Sequence, residues 1–342
     1  MTDTSLTPLV TVLMPVYNAK PYLREAIDSI LQQTYRNFEF IIINDGSTDT
    51  SEEIIKSYHD PRIKYYKNPS NLKLIATLNK GFDLASGKYI ARMDADDISL
   101  PSRIQLQVEL MEKDEAIGLS GTWFDTFKGN EVVGSARYAP DHATICFNHF
   151  YQIHLSHGTC MFRVSVLKKH ALYFNPEFSH AEDYELWGRI SMVTKLANIQ
   201  QVLYKVRQHD DEVSVKYADV QKANSYRVKT WLFNYIGVDI GHEELDLFQS
   251  IAHFEYLQSN KFLEQSKSLL EKLLLAKNYD MFFSKSFYES KLADYWFNIN
   301  YNLTKHAGIR AYVHYNTSSI SMIKPLNLTV KAKFILKGLF KK

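Results

Sequence analysis

Three carboxylates fall within four positions at Asp94-Ala95-Asp96-Asp97, directly after the apolar run Tyr89-Ile90-Ala91. Like charges held that close repel one another, and burial sharpens the repulsion. A divalent cation that also bridges a phosphate offsets that cost most directly. An acidic turn running into a helix cap is the competing reading, because aspartate suits both jobs. Two further segments carry chemistry-bearing residues at comparable places. Pro15-Val16-Tyr17 offers an aromatic face, and Asn44-Asp45-Gly46-Ser47 offers a carboxylate on a turn. Tyr17 as core filler and Asp45 as an Asx turn are the bland alternatives for each taken alone.

The elements that must position these residues bring them together. Residues 9–15 are β-branched and apolar with no polar alternation, which fits a central strand covered on both faces. A helix is expected over about 22–33, with Leu23, Ile27, Ile30 and Leu31 on one stripe. A second buried strand spans 38–43 and ends in the Asp45 turn, with Ile54 and Ile55 in the helix behind it. Residues 63–66 read as a short strand, 72–84 as a helix, and 88–91 as the strand before the acidic cluster. Another helix follows Leu100-Pro101, where proline suits a first turn. This alternation predicts an α/β fold, a doubly wound, mostly parallel sheet flanked by helices. Such sheets bind ligands at the carboxyl ends of their strands. Tyr17, Asp45 and Asp94 then share one edge, and the three parts suit a base, its imide N–H, and a diphosphate with its cation. No G-x-G-x-x-G follows the first strand and no P-loop pattern occurs, which argues against a dehydrogenase or an ATPase of those types.

Composition narrows the class further. The 342 residues are 45% hydrophobic and 23% charged, which is globular and not disordered. A net charge of +2 implies no overall pull toward nucleic acid. Cys146 and Cys160 are too few for a disulfide framework and lack metal spacing, so they are read as packed free thiols of a reducing compartment. The first residues carry no basic and apolar leader, and no run is long enough to span a bilayer. A cytoplasmic catalytic part is the expectation.

Val10-Thr11-Val12-Leu13-Met14-Pro15-Val16-Tyr17-Asn18, Ile43-Asn44-Asp45-Gly46-Ser47-Thr48-Asp49 and Ala91-Arg92-Met93-Asp94-Ala95-Asp96-Asp97 together resemble family 2 glycosyltransferases of the GT-A fold, over roughly residues 8–215. The resemblance implies a nucleotide-sugar donor, usually UDP-linked, a Mn²⁺ or Mg²⁺ ion, and inversion at the anomeric carbon. It points to the enzymes that build bacterial surface polysaccharides. Carried onto this chain, it has Pro15, Tyr17 and Asp45 hold the nucleoside, Asp94 face the ribose, and Asp96 ligate the metal. Asp97 is read as a cap of the turn toward Pro101.

Inverting transfer needs a base for the acceptor hydroxyl. His180-Ala181-Glu182-Asp183-Tyr184-Glu185-Leu186-Trp187 resembles the family's Glu-Asp motif, which implies Asp183 as base and Glu182 as a positioning group. Acids dressing a helix N-terminus, favoured by its dipole, are the bland reading. Tyr204-Lys205-Val206-Arg207-Gln208-His209 resembles the family's segment closing over the diphosphate. Arg207 is then the phosphate partner and His209 a further metal ligand, with a solvated histidine as the equal alternative. Two departures stand out. His157-Gly158-Thr159 falls where relatives often carry His-Pro-Ser, and Lys73 where they commonly place glycine, so Lys73 either reaches a phosphate or is simply exposed.

The expected organisation is a catalytic domain over 1–214 and a helical region over 215–342. Residues 326–342 interleave Leu328, Ala332, Ile335, Leu336 and Leu339 with five lysines and no acid. That pattern suits a peripheral contact with anionic lipid, while a surface helix or frayed tail is the plain alternative. Membrane contact would suit a lipid-linked saccharide acceptor. Two rivals remain on the sequence: a nucleotidyltransferase, which would want a glycine-rich basic loop after the first strand, and a non-catalytic nucleotide-sugar-binding subunit of a membrane assembly.

Overall fold

The structure is a computed structural model, which describes residues 7–209 and 217–340. Contacts divide the chain into two compact units, one made of residues up to Cys146 with Ile153–Ser225, the other of Phe147–Gln152 with Tyr226–Lys342.

The first unit opens with three βα repeats. These are β1 (Val10–Val16), α1 (Leu23–Leu31), β2 (Phe38–Asn44), α2 (Ser51–Lys56), β3 (Ile63–Lys67) and α3 (Leu74–Leu84), followed by β4 (Tyr89–Arg92). Every residue of β2 and β4 is buried, as is all of β1 except Pro15. Continuous burial is what parallel strands covered on both faces require. β1 pairs in parallel with β2 and β4, and β2 with β3. The register sets Val16 beside Asn44 and Leu13 beside Arg92, so the loops after β1, β2 and β4 leave the same edge.

Beyond β4 come β5 (Ile98–Ser99), α4 (Arg103–Lys113), β6 (Ile117–Lys128), β7 (Glu131–Ala136), α5 (His142–His149), β8 (Met161–Arg163), α6 (Val164–Lys169), α7 (Glu182–Ser191) and β9 (Lys195–Arg207). The described residues form one nine-stranded sheet in the order β3-β2-β1-β4-β8-β6-β9-β5, with β7 paired to β6. Residues 117–208 read in the sequence as shorter strands and loops, then a helix over 183–190 and a strand over 199–206. The helix is α7 and the strand lies within β9, but β6 and β9 are 12 and 13 residues long and run parallel to each other. Register shifts at Ile117/Leu119 and around Trp123 break the alternation of faces, and Gly118, Ser120, Gly121 and Thr122 dilute the apolar signal. Antiparallel β8 joins this second half to β4, so the sheet is mixed, with its parallel part on the first-strand side.

The second unit is helical. Its elements are α8 (Ala218–Tyr235), whose first turns belong to the first unit, α9 (His242–Ala252), α10 (Asn260–Leu273), α11 (Lys285–Ala307), α12 (Ile309–Asn316), α13 (Ile320–Ile323) and α14 (Leu328–Phe340). Ser259 and Ser284 cap α10 and α11 through bonds from Phe262 N and Phe287 N. Its core is aromatic, with Phe233, Phe248, Trp296 and Phe334 fully buried. α14 packs on Phe334 while leaving Leu328, Leu336, Leu339 and Phe340 exposed. Among the described residues, no helix is long and apolar enough to cross a membrane.

Candidate active site

The loops after β1 and β2 are stitched to each other. Asn18, at φ +50°, donates its N–H to Ser47 Oγ at 3.0 Å, while its Oδ1 accepts from Thr48 N at 2.8 Å. Ala19 N and Lys20 N donate to Ser51 Oγ and Asp49 Oδ2, each at 3.0 Å. These bonds satisfy loop backbone that has no strand partner, and they fix Tyr17, whose ring is half exposed at the edge. Pro15, the last residue but one of β1, pairs with Ile43.

Asp45 lies across from them. Its carboxylate is 4% exposed, and Oδ1 accepts from Asn68 Nδ2 and from Leu72 N, both at 2.8 Å. Gly46, at φ +71°, lets the turn pass the chain at Ser70 and Asn71, where a Cβ would meet backbone atoms at 2.8 Å. The segment held by Asp45 ends at Lys73, whose φ of 73° and ψ of 163° lie in a region that essentially only glycine adopts. The lysine side chain is exposed. The departure from glycine noted in the sequence is therefore a point of backbone strain beside Asp45.

The acidic turn follows β4 and is gripped by β9. Asp94 forms an ion pair with Arg92, a guanidinium only 3% exposed, and Asp94 N donates to the Tyr204 hydroxyl at 3.1 Å. Asp96 Oδ2 lies 3.1 Å from His209 Nε2, and the ring of His209 stacks on Tyr22. Asp97 differs from the capping role read from the sequence. Its side chain is buried, and Oδ1 accepts from Arg207 N at 2.8 Å, which fastens the turn to β9. Burial, then the neighbouring Asp96 charge, push its carboxyl up to about 7. The Arg207 guanidinium lies over the Tyr22 and Phe127 rings, each 4.6 Å from the centroid. It donates to Asp96 O at 2.8 Å and pairs with Glu25 at 2.5 Å. In this conformation Arg207 holds the acidic turn through Nε and is paired with Glu25 through Nη2.

Three residues that sequence reasoning passed over form the floor of the turn. Arg103 is fully buried, donates to Arg92 O at 2.7 Å, and lies over the Tyr204 ring. Burial lowers its guanidinium to about 10. Tyr204 is fully buried, and Gly158 packs so tightly on it that a Cβ would fall 2.7 Å from the hydroxyl. Arg92 is the third. A charged residue at the end of a buried strand was the available signal, because such a group must face a partner or a site.

Glu182 and Asp183, expected from the sequence on the acceptor side, sit at the start of α7. Asp183 Oδ1 accepts from Tyr184 N at 2.7 Å. Burial first, and Glu182 second, push the Asp183 carboxyl up to about 7, and the nearby Arg92 charge works in the opposite direction. Glu182 is buried and is also raised, chiefly by burial. His157 Nδ1 stands 3.9 Å from Glu182 Oε1, while burial and Arg92 hold this imidazole well below its ordinary value, so it is neutral. Its Nε2 is buried without a hydrogen-bond partner.

The geometry thus gathers Asp96 with His209, and Asp94 with Arg92, whose charge also acts on Asp183, Glu182 and His157. Among the described residues, no group of three or more His, Cys, Asp or Glu side chains stands ready to hold a metal ion. A carboxylate and an imidazole in contact nevertheless suit a divalent transition ion such as Mn²⁺ better than Mg²⁺, and substrate phosphates and water would complete its shell. The partial exposure of both side chains, 38% and 20%, leaves room for such partners.

The model of "Glycosyl transferase family 2" matches residues 11–171. An uncharacterized glycosyltransferase of Haemophilus influenzae is 36% identical over 286 residues, covering 79% of this chain and 86% of that one. An uncharacterized glycosyltransferase of Methanocaldococcus jannaschii is 36% identical over 229 residues, covering 64% of this chain and 77% of that one. Among solved structures, S. aureus TarS 1-349 in complex with UDP-GlcNAc is similar at a TM-score of 0.55 and 16% identity, covering 96% of this chain and 90% of that one. At that identity the likeness is one of fold.

Proposed function

The chain belongs to glycosyl transferase family 2, and we propose that it is an inverting, metal-dependent enzyme that moves a sugar from a UDP-linked donor to a saccharide or lipid-linked glycan at the cell surface. The observation that carries this reading is the shared guanidinium of Arg92. It bonds to Asp94 of the acidic turn, and its charge acts on the Asp183 carboxyl. One buried cation thus links a donor-side acid to the acceptor-side base.

Each residue has a role in the proposed reaction. Tyr17 and Pro15 support the base, Asp45 orders the wall beside it, and Asp94 faces the ribose. Asp96 and His209 would hold a Mn²⁺ or Mg²⁺ ion, which would supply positive charge against the diphosphate leaving group. Asp183 takes the proton from the acceptor hydroxyl as its oxygen attacks the anomeric carbon. The bond to the diphosphate oxygen breaks on the opposite face, so the configuration inverts, and the nucleoside diphosphate departs with the bonding pair. A carboxyl raised to about 7 suits this task, because general bases work best with a pKa near the operating pH. Glu182 sustains the shift and orients the acceptor.

The exposed apolar residues of α14, Leu336, Leu339 and Phe340, with Lys333 among them, support a peripheral contact with anionic lipid on the cytoplasmic face. The whole reading is tested by following UDP release from UDP-glucose, UDP-galactose and their N-acetyl forms with Mn²⁺. Metal-dependent release from one of them is expected. Tight binding with no turnover of any donor, even with acceptor extracts, would make the protein a nucleotide-sugar-binding subunit instead.

A further inference from the structure

The helical unit carries a cleft of its own, about 340 Å³ in volume and lined by Phe254, Tyr256, Gln258, Asn302, Lys305 and Lys337. That volume lies within the range of small-molecule sites. Lys337 Nζ donates to Tyr301 O at 2.7 Å and sits 3.8 Å from the centroid of the Tyr301 ring. Lys305 is exposed and near enough for its charge to disfavour a second ammonium at Lys337, a like-charge cost added to that of burial. Neither lysine has a carboxylate partner among the described residues. The lysines of this unit that do are Lys272 with Glu244, Lys285 with Glu289, and Lys324 with Asp294. No acidic residue follows Asp294 in the chain.

One backbone feature of the wall points the same way. Phe254 holds a backbone φ of +60° and leaves its ring 58% exposed. Backbone in that region is unfavourable for an aromatic residue and concentrates at functional positions. The cleft therefore combines two ammonium groups without a carboxylate partner, two aromatic faces and two amides.

We propose that this cleft binds a saccharide bearing an anionic substituent, either a carboxylate or a phosphate. The ammonium groups of Lys305 and Lys337 would pair with the anion. Phe254 and Tyr256 would take the apolar face of a sugar ring, and Gln258 and Asn302 its hydroxyls. The choice of a saccharide over a bare anion rests on the glycosyl-transfer reading of the first unit. The site itself uses none of the residues of that reading.

The test titrates the full chain, by calorimetry, with digalacturonic acid, glucose 6-phosphate, maltose and inorganic phosphate. At least one charged saccharide should bind, and the tighter of the two identifies the anion. Maltose and inorganic phosphate should each bind at least 10-fold more weakly. The Lys305→Gln/Lys337→Gln variant and the Phe254→Ala variant should each lose at least 10-fold in affinity for the charged saccharide, with UDP-sugar turnover unchanged. Should the Lys337 change disturb folding, Lys305→Gln alone, at an exposed and unpaired position, should still lose at least threefold. The proposal is overturned if neither charged saccharide binds, if the lysine variants bind as wild type does, or if inorganic phosphate binds as tightly as the sugar. Loss of turnover with every UDP-sugar while this binding persists would instead strike only the donor assignment.

Discussion

His209 Nε2 lies 3.1 Å from Asp96 Oδ2, joining the segment after β9 to the turn after β4. The two residues are more than a hundred positions apart in sequence, and the antiparallel pairing of β5, which follows the acidic turn, with the end of β9 is what brings His209 to it. A stacked Tyr22 ring orients the imidazole from the third side. Side chains fixed in this way are pre-organised, so a ligand that bridges them need not also order them.

The pair predicts a graded response to substitution. Asp96→Ala should abolish metal-dependent UDP binding, and His209→Ala should weaken it by about 10–100-fold, the range seen when a metal site loses a supporting group. Calorimetry with and without Mn²⁺ measures both. Unchanged, metal-independent affinity in either variant would remove that residue from the cation site.

For Asp183 the sign of the pH dependence follows from its proposed role as base. A base must be unprotonated to work, and this carboxyl is raised to about 7 by burial and by Glu182. The kcat/KM should therefore climb about tenfold per pH unit below that value and level off above it. Asp183→Asn should lower turnover by about 10²–10⁴-fold while donor binding stays near that of wild type. Glu182→Gln should move the inflection to lower pH, because it removes a neighbouring negative charge.

Asp97 predicts a stability effect of the opposite kind. Its folded-state value, raised from 3.8 to about 7, means that the folded protein holds a proton which the unfolded chain has already lost. The favourable contribution is complete below about pH 4 and disappears as the pH rises through about 7. Asp97→Asn keeps the acceptor for Arg207 N without the charge. Its melting temperature relative to wild type should rise between pH 5 and pH 8, and a constant difference would contradict the assignment.

Lys73 predicts a gain from glycine. Backbone in its region costs a non-glycine residue about 1–3 kcal/mol, against about 0.5–1 kcal/mol for the extra freedom that glycine has when unfolded. Lys73→Gly should thus stabilise the protein, read by thermal or denaturant unfolding. The exposed side chain has no packing to lose.

Much of the first unit was legible because its strands are buried on both faces and end in residues unsuited to a core. Val10–Val16 and Phe38–Asn44 are mostly apolar, without strict alternation, and their next residues, Tyr17 and Asp45, fall at the carboxyl ends of parallel strands, where such sheets bind ligands. β6 and the start of β9 were harder to read, since irregular register around Trp123 hides the alternation that marks a strand, whereas 199–206 within β9 read as a strand. Arg92, Arg103 and Tyr204 were passed over for a different reason. Their significance lies in contacts between distant segments, such as Arg103 with Arg92 O and Tyr204 with Asp94 N, which leave no local pattern. Asp97 looked like a cap for the same reason, because its partner, Arg207 N, is 110 positions away.

The central claim is sugar transfer with inversion through Asp183. The most direct measurement follows the reaction of the best UDP-sugar with Mn²⁺ by proton NMR, recording the anomeric configuration of the sugar as it forms, for wild type and Asp183→Asn. The account predicts UDP release with a first-formed product of inverted configuration, and loss of at least 99% of that rate in the variant. A product of retained configuration, or an Asp183→Asn rate close to that of wild type, would contradict it.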